Sequence, residues 1–195
     1  MSSIMGTTKS GERKLQILQA LAQMLEQPRG EKITTAALAR HLSISEAALY
    51  RHFASKAQMF EGLIEFIESS VFGVINQICE KEENGLLQTQ YVSMLLLNFA
   101  ERNPGMTRVM IGDALVNEDG RLQLRMNQFF DRVELTLRQC LRLAATQGQC
   151  REDMAQLKSN LIMSYVIGKL FRFVKTQFKE KPTDGMQAQI NYILA

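Results

Sequence analysis

Hydrophobic residues recur at steps of three and four positions along most of the chain, which is the period of one face of an α-helix. The first such stripe runs from Leu15 to Leu25 and predicts a helix over roughly residues 10–27, ended by Pro28 and Gly30. No stretch alternates apolar and polar residues as a half-buried strand does, and no internal repeat or low-complexity tract is present. The pattern therefore predicts an all-α fold.

Capping residues and helix breakers divide the rest of the chain. Ser55 begins a long helix, because Ser-Lys-Ala-Gln matches a capping box. Asn103 is predicted to cap a new helix, with Pro104 at its first position, where a missing N–H costs nothing. Residues 113–120 are predicted to be irregular. The other predicted helices lie at 35–42, 46–52, 86–102, 121–147 and 152–179, with a short one after Thr183.

Composition excludes several classes of protein. A chain of 195 residues, 46% of them hydrophobic, can bury a sizeable core without disulfides or metals, and a net charge of +3 argues against disorder. No apolar run reaches the roughly 18 residues of a membrane span, and the N-terminus lacks the apolar stretch of a signal peptide, so a cytoplasmic protein is expected. The three cysteines, Cys79, Cys140 and Cys150, lack CxxC spacing and favour neither a disulfide framework nor a zinc site.

The most specific stretch covers residues 32–60. Two short helices there meet at 42–45, which is the spacing of a helix-turn-helix. In this motif the second helix places its N-terminal side chains in the major groove of DNA. The predicted organisation is a flexible N-terminal arm at 1–9, a helix-turn-helix domain of three helices at 10–54 and a helical regulatory and dimerisation domain at 55–195.

Charge and chemistry at the start of the second helix agree with DNA binding. Residues 1–60 hold eight Lys and Arg against four Asp and Glu, whereas residues 61–195 hold fifteen against sixteen. Ser45, Glu46 and Ala47 are the candidates for base contacts, because a glutamate accepts from the cytosine amino group and an alanine contacts the thymine methyl. The motif therefore predicts a protein that binds double-stranded DNA.

Phosphate contacts are predicted for polar side chains around the motif, where hydroxyl, imidazole and ammonium groups can donate to DNA. These candidates are Thr34, Thr35, Tyr50, His52 and Lys56. Structural roles compete with this interpretation. Either threonine is equally suited to cap a helix, Tyr50 and Phe53 to fill the core, and Arg51 to remain a solvated surface charge.

The segment TTAALARHLSISEAALYRHFASKAQMF resembles the DNA-binding signature of the TetR-type regulators, above all in Ala-Leu-Tyr-Arg-His-Phe followed by Ser-Lys. Ser43 departs from that signature, since glycine is usual at this position of the turn. The resemblance implies an N-terminal helix-turn-helix domain followed by a C-terminal helical domain that dimerises.

The likeness extends over nearly the whole chain in one branch, the nucleoid occlusion factors of gamma-proteobacteria. ALYRHFASKAQMFEGLIEFIESS, LLLNFAERNPGMTRV, DALVNEDGRLQLRMNQFFDRVE and FKEKPTDG carry it. It implies a homodimer that binds palindromic chromosomal sites as one or two dimers and, once bound, antagonises assembly of the tubulin-like division protein FtsZ. The septum is thereby kept off the nucleoid.

The same resemblance implies a binding site for FtsZ at Phe66, Leu95, Arg102 and Asn103. A cation at Arg102 suits an acidic peptide, and the apolar pair suits a groove that holds a peptide. Each residue also has a structural interpretation. A leucine at helical spacing is usually core, an arginine favours the negative end of its own helix, and Asn103 is explained as an N-cap.

Dimerisation is predicted from the two long helices at 121–147 and 152–179, whose apolar surface exceeds what one small body is expected to cover. A four-helix bundle between two copies would bury that surface and place the recognition helices about 34 Å apart, on a palindromic target. The apolar residues concerned are Leu122, Met126, Phe129, Phe130, Val133, Leu137, Leu157, Leu161, Ile162, Tyr165, Val166, Leu170 and Phe171.

No catalytic residue, metal site or cofactor is predicted. Both histidines, His41 and His52, lie in the helix-turn-helix, and the HExxH, GxSxG and glycine-rich phosphate motifs are missing. Two other functions stay open. One is a TetR-type repressor released from its operator by a small inducer, with the eleven methionines and ten phenylalanines lining a pocket; the other is a structural adaptor without salt-sensitive DNA binding.

Overall fold

A computed structural model describes residues 9–27 and 33–195, and the regular elements within these ranges are all helical, which confirms the expected fold class. The predicted helix end at Pro28 and Gly30, and the predicted arm up to residue 8, lie outside the described residues. The α-helices are α1 (Lys9–Leu25), α2 (Thr35–His41), α3 (Glu46–Tyr50), α4 (Lys56–Lys81), α5 (Gly85–Arg102), α6 (Pro104–Met110), α7 (Gly120–Thr146), α8 (Ala155–Lys175) and α9 (Met186–Leu194).

Side-chain caps fix the starts of the three helices around the motif. The hydroxyl oxygens of Thr34 and Ser45 accept from backbone N–H groups three residues on, each at 3.1 Å. Ser55 accepts from the N–H of Gln58 at 3.2 Å, as the capping box predicts. The Gln58 side chain turns back to the N–H of Ala54 at 2.8 Å, one residue before the expected partner.

The turn between α2 and α3 places Ser43 in the left-handed region, at φ 54°. The N–H of Ser43 bonds to the carbonyl of Arg40 at 3.1 Å, and the N–H of Ile44 bonds to that of Ala39 at 3.0 Å. These two bonds form a Schellman motif, whose left-handed residue is usually glycine because glycine has no Cβ. The geometry explains why glycine is usual at this position in TetR-type sequences.

Replacing this serine with glycine is expected to stabilise the protein. Ser43→Gly should raise the free energy of unfolding by about 0.5–1 kcal/mol, because a left-handed L-residue costs roughly 1–2 kcal/mol and the greater chain entropy of glycine offsets part of the gain. Denaturant unfolding measures the difference. The control is Ser69→Gly, at an exposed position inside α4, which should lower stability; a loss at both positions would contradict the strain at Ser43.

The core is organised around α4, which packs against α1, α5, α6 and α7. Among the described residues, α4 is the one helix long and apolar enough to cross a membrane. Its outer face, however, carries Glu61, Glu65 and Glu68, and Glu68 accepts hydrogen bonds from Arg125 of α7 at 3.0 and 2.6 Å. Since its other face is buried against neighbouring helices, α4 is one of the core helices of the chain.

The corner between α5 and α6 differs from the sequence prediction in one detail. Asn103 occupies the N-cap position before Pro104, as expected, but its side chain does not cap α6. Its amide instead donates to the carbonyl of Phe99 at 2.8 Å, and the Thr107 hydroxyl lies 2.9 Å from the carbonyl of Ala100. The Asn103 side chain therefore caps the C-terminal end of α5, where the last backbone carbonyls have no donor within the helix.

The prediction of a continuous helix over 152–179 is wrong at both ends. A short 3₁₀ turn precedes α8, and α8 ends at Lys175. Gln177 and Phe178 adopt left-handed backbone, with φ of 55° and 64°, which no α-helix accommodates. The Phe178 ring packs on Phe173 at 5.1 Å between ring centroids. This aromatic contact accompanies a turn of the chain away from the axis of α8 several residues before Pro182.

The apolar residues that suggested a dimer are divided between two environments. Those on α7 all pack in or against the core of the same chain, so the premise that this core is too small to cover them is wrong. On α8, Leu157, Leu161 and Phe171 stay exposed, by 50%, 47% and 50%. With Ser164 and Gly168 they repeat at steps of four and three and share one face of α8, which we call the α8 stripe.

Candidate nucleic-acid interface

The N-terminal turn of α3 is the most exposed part of the helix-turn-helix. Ser45, Glu46 and Ala47 all face solvent there, while Leu49 on the opposite side is completely buried. The three residues assigned to base contacts therefore lie side by side at the tip of the recognition helix. A short helix presented in this way can enter the major groove with its N-terminal side chains first.

A chain of hydrogen bonds links α2 to α3. The Tyr50 hydroxyl lies 3.4 Å from the Thr35 hydroxyl oxygen, and Thr35 in turn donates to the Glu46 carboxylate at 2.8 Å. Tyr50 is 45% exposed, so it is a surface residue and not the core aromatic considered above. The bonds hold Glu46 in one position and leave further carboxylate lone pairs open to a base.

The two capping hydroxyls keep a donor for DNA. Thr34 and Ser45 both lie in exposed positions and use their oxygen lone pairs to accept from backbone N–H groups. A hydroxyl that accepts in this way still carries its own hydrogen. Helix capping and phosphate contact are therefore compatible at Thr34, and helix capping and a contact to DNA are compatible at Ser45.

His52 and Lys56 are less available to DNA than the other candidates. The His52 Nδ1 atom is buried and has no hydrogen-bond partner among the described residues. The Lys56 ammonium forms an ion pair with Glu118 and lies 5.6 Å from the centre of the Phe60 ring. A phosphate contact by Lys56 has to compete with a carboxylate that already holds it.

Two exposed arginines, Arg40 and Arg51, lie in the helix-turn-helix outside the set of predicted site residues. Arg40 lies in the last turn of α2 and Arg51 follows α3, and neither forms an ion pair within residues 9–27 and 33–195. Arg51 was left open as a solvated charge, and its exposure fits both that role and a phosphate contact. The positive charge of these two residues is the only sign of a phosphate contact in the sequence, and charge alone does not tell whether a side chain is exposed to DNA.

The residues implied for a protein partner lie on α4 and α5, which pack together. Phe66 is 39% exposed, whereas Leu95 is half-buried against the core. Arg102 is exposed at the C-terminal end of α5, and Asn103 follows it at the corner described above. Phe66 and Arg102 are thus exposed, whereas Leu95 is partly buried.

Further apolar side chains on the same two helices were missed. Leu87 and Tyr91 are exposed and share one face of α5 with Leu95 and Arg102, while Val74 is exposed two turns after Phe66 on α4. Their helical spacing matches that of core residues, so the sequence gives no signal that they face outward. Leu87 and Tyr91 therefore add exposed apolar side chains to the face of α5 that ends at Arg102.

The KPTD segment is anchored beside this surface. Thr183 donates to the Glu101 carboxylate, and Lys181 lies 3.4 Å from it. The bond from Thr183 lowers the pKa of Glu101, burial acts to raise it, and Lys181 lowers it further, so the net pKa lies below its usual value. The ionised carboxylate therefore holds the segment that precedes α9 against the end of α5.

The cysteines lie in buried or half-buried positions. Burial raises the pKa of Cys140 to about 12, which keeps its thiol protonated and unreactive. Cys150 is half-buried and lies 3.4 Å from the carbonyl of Leu141. No group of three or more His, Cys, Asp or Glu side chains suited to a metal ion occurs in the part of the chain that the structure describes.

Two family models match the chain. Residues 17–63 match the family described as bacterial regulatory proteins, tetR family. Residues 83–195 match the SlmA-like family described as tetracyclin repressor-like, C-terminal domain. The two matches cover the helix-turn-helix and most of the helical body.

Curated relatives share about half of its residues. The nucleoid occlusion factor SlmA of Idiomarina loihiensis is 52% identical over 179 residues, which is 91% of each chain. The protein of the same name from a Marinomonas species is 48% identical, also over 91% of each chain, and that of Aliivibrio fischeri is 48% identical over 93% of each.

Solved structures show the same fold at lower identity. The TetR family transcriptional regulator PfmR of Thermus thermophilus has a TM-score of 0.76 at 22% identity, covering 91% of this chain and 96% of that one. The fatty acid degradation regulator FadR of Bacillus halodurans has a TM-score of 0.79 at 14% identity, covering 96% and 97%. At this identity the likeness concerns the fold alone.

Proposed function

We propose a function from the premise that the chain belongs to the family of the nucleoid occlusion factor SlmA, a branch of the TetR-type regulators. This family consists of DNA-binding regulators rather than enzymes. The chain acts as a cytoplasmic, nucleoid-associated occlusion factor. Bound to palindromic chromosomal sites, it antagonises FtsZ polymerisation and prevents septum formation over the nucleoid.

The tip of the recognition helix supports the DNA-binding part of this proposal. Glu46 is held by Thr35 with free acceptor capacity, and Ala47 beside it offers a methyl group to thymine. The hydroxyls of Thr34, Ser45 and Tyr50 surround them and suit phosphate oxygens, which position the helix on the duplex.

The α8 stripe supports a homodimer. Leucine and phenylalanine side chains there are half exposed, and the Gly168 position faces open space, with no atom within 4 Å of where a Cβ would lie. A glycine inside a helix costs roughly 1 kcal/mol relative to alanine, so its use in open space suits the close approach of a second helix. A second copy supplies that helix by two-fold symmetry.

Exposed side chains on α4 and α5 support the FtsZ part. Phe66 on α4 and Leu87 and Tyr91 on α5 expose apolar surface, and Arg102 adds an exposed cation at the C-terminal end of α5. An acidic peptide with apolar side chains fits such a surface. This combination of exposed apolar and basic groups is the observation that carries the FtsZ assignment.

Sedimentation of FtsZ polymers with and without a palindromic duplex tests the proposal. The protein should reduce the pelleted FtsZ when the duplex is present, and Arg102→Asp should abolish this effect while DNA affinity is unchanged, because the reversed charge repels an acidic peptide. The matched control is Arg151→Asp, which reverses an exposed charge elsewhere on the body.

Three results would count against the proposal. Full antagonism by Arg102→Asp would remove this residue from the site. A loss with both variants would reflect net charge alone. Wild-type protein that binds DNA at a few operators, is released by a small molecule and leaves FtsZ unaffected would instead identify an inducible repressor.

A further inference from the structure

Three cations from three different elements converge on the segment 113–118. Arg108 of α6 donates to Asp113 at 2.7 Å, and Lys175 of α8 donates to the other oxygen of the same carboxylate at 3.1 Å. At the other end of the segment, Glu118 pairs with Lys56, the first residue of α4. We call this segment the junction loop.

The junction loop reaches the DNA-binding helices by two routes. Arg108 also donates to the carbonyl of Leu25 at 3.0 Å, and Leu25 is the last residue of α1. Lys56 lies directly after the short linker that follows α3. The loop therefore holds one end of α1 and the beginning of α4, on either side of the recognition helix.

The Asp113 carboxylate is stabilised in its ionised form. Burial acts to raise the pKa of Asp113, but the hydrogen bonds from Arg108 and Lys175 outweigh it, so the pKa lies below its usual value. The Lys56–Glu118 pair is largely shielded, with 22% and 14% of the two side chains exposed. Screening by salt weakens shielded pairs less than exposed ones.

Two surface hollows adjoin these bonds. Arg108 and Asp113 line a hollow of about 140 Å³ together with Lys56, Glu118 and neighbouring apolar side chains. The same two residues line another of about 200 Å³ on the side of α8. The ion pairs therefore border the contact at which α1 packs closely against α6, and they add polar links between the loop and both α1 and α4.

We propose that the junction loop fixes the orientation of the helix-turn-helix on the body, with Lys56 and Arg108 acting as positioning residues rather than as phosphate contacts. This inference rests on the DNA-binding part of the proposed function. Two recognition helices reach successive major grooves only when each is held at the right angle. Breaking the ion pairs of the junction loop would lower the effective concentration of the second copy's recognition helix at its half-site.

Titration of a palindromic duplex at several salt concentrations tests the inference. Glu118→Gln and Asp113→Asn each remove one carboxylate, and each should weaken binding about tenfold. The slope of log affinity against log salt should stay unchanged, because the number of neutralised phosphates is the same. The charge-matched control is Asp153→Asn, which breaks an exposed ion pair in the body and should leave affinity unaltered.

A phosphate contact by Lys56 would give the opposite result in the same titration. If Lys56 is a phosphate contact, Glu118→Gln frees it, so that affinity rises and the salt slope becomes steeper. That outcome, or unaltered affinity in both variants, overturns the inference. Unfolding curves of the variants exclude loss of fold as the cause of weaker binding. Wild-type protein that fails to bind the duplex would refute the proposed function itself rather than the role of the loop.

Discussion

Leu161→Glu is expected to convert the dimer into monomers and to weaken binding to a palindromic duplex by about 100-fold. Leu161 lies at the centre of the α8 stripe and is 47% exposed in the single chain. Two-fold symmetry places both copies of the substituted residue in one interface, where unpaired carboxylates lose their hydration and repel each other. Light scattering measures the mass, and fluorescence anisotropy measures binding to duplexes with one and two half-sites.

A monomer should still bind a single half-site weakly, because its recognition helix is intact. The control is Tyr192→Glu, at a side chain that is 86% exposed on α9 and outside the stripe. Gly168→Ala adds a subtler comparison: it should weaken the dimer although the Cβ position is open within one chain. A dimer that survives Leu161→Glu would show that the α8 stripe is not the interface.

Gly105→Ala is expected to lower the free energy of unfolding by about 2 kcal/mol. A Cβ at this position would overlap the carbonyl oxygen of Ala22 and lie 3.1 Å from the Cβ of Leu25, both on α1. Backbone cannot move aside as a flexible side chain does, so α6 and α1 must separate. Since α1 belongs to the DNA-binding domain, affinity for a palindromic duplex should fall as well.

Gly73→Ala provides the matched control. Gly73 is also helical, but nothing lies within 4 Å of its Cβ position, so alanine should raise the free energy of unfolding by about 0.5–1 kcal/mol. Denaturant unfolding of both variants gives the comparison. Equal effects at the two positions would mean that α1 and α6 do not approach as closely as the structure shows.

Local signals in the sequence predict the helices well. Thr34, Ser45 and Ser55 cap helices as expected, because a cap depends only on residues a few positions away. The end of α8 was missed for the opposite reason. Its cause is the contact between Phe173 and Phe178, which competes with continued helix and leaves no mark in the periodicity.

Exposure was the hardest property to predict. Phe129 of α7 and Leu161 of α8 follow the same apolar period, yet the first is buried within the chain and the second faces outward. A period identifies which residues share a face of a helix, but the neighbours of that face depend on the tertiary arrangement. For the same reason the sequence carries no sign of the ion pair of Lys56, because its partner Glu118 lies 62 positions further along the chain.

The hydroxyl chain from Tyr50 through Thr35 to Glu46 has a consequence for how DNA is read. The Glu46 side chain, which we propose enters the groove, is already held by Thr35 before a duplex arrives, so little rotamer freedom would be lost on contact. A carboxylate releases no counterions from DNA. The salt-dependent part of the affinity therefore comes from the basic side chains, whereas the carboxylate contributes to discrimination between bases. Selectivity among base sequences should therefore persist at ionic strengths that already lower the overall affinity for the duplex.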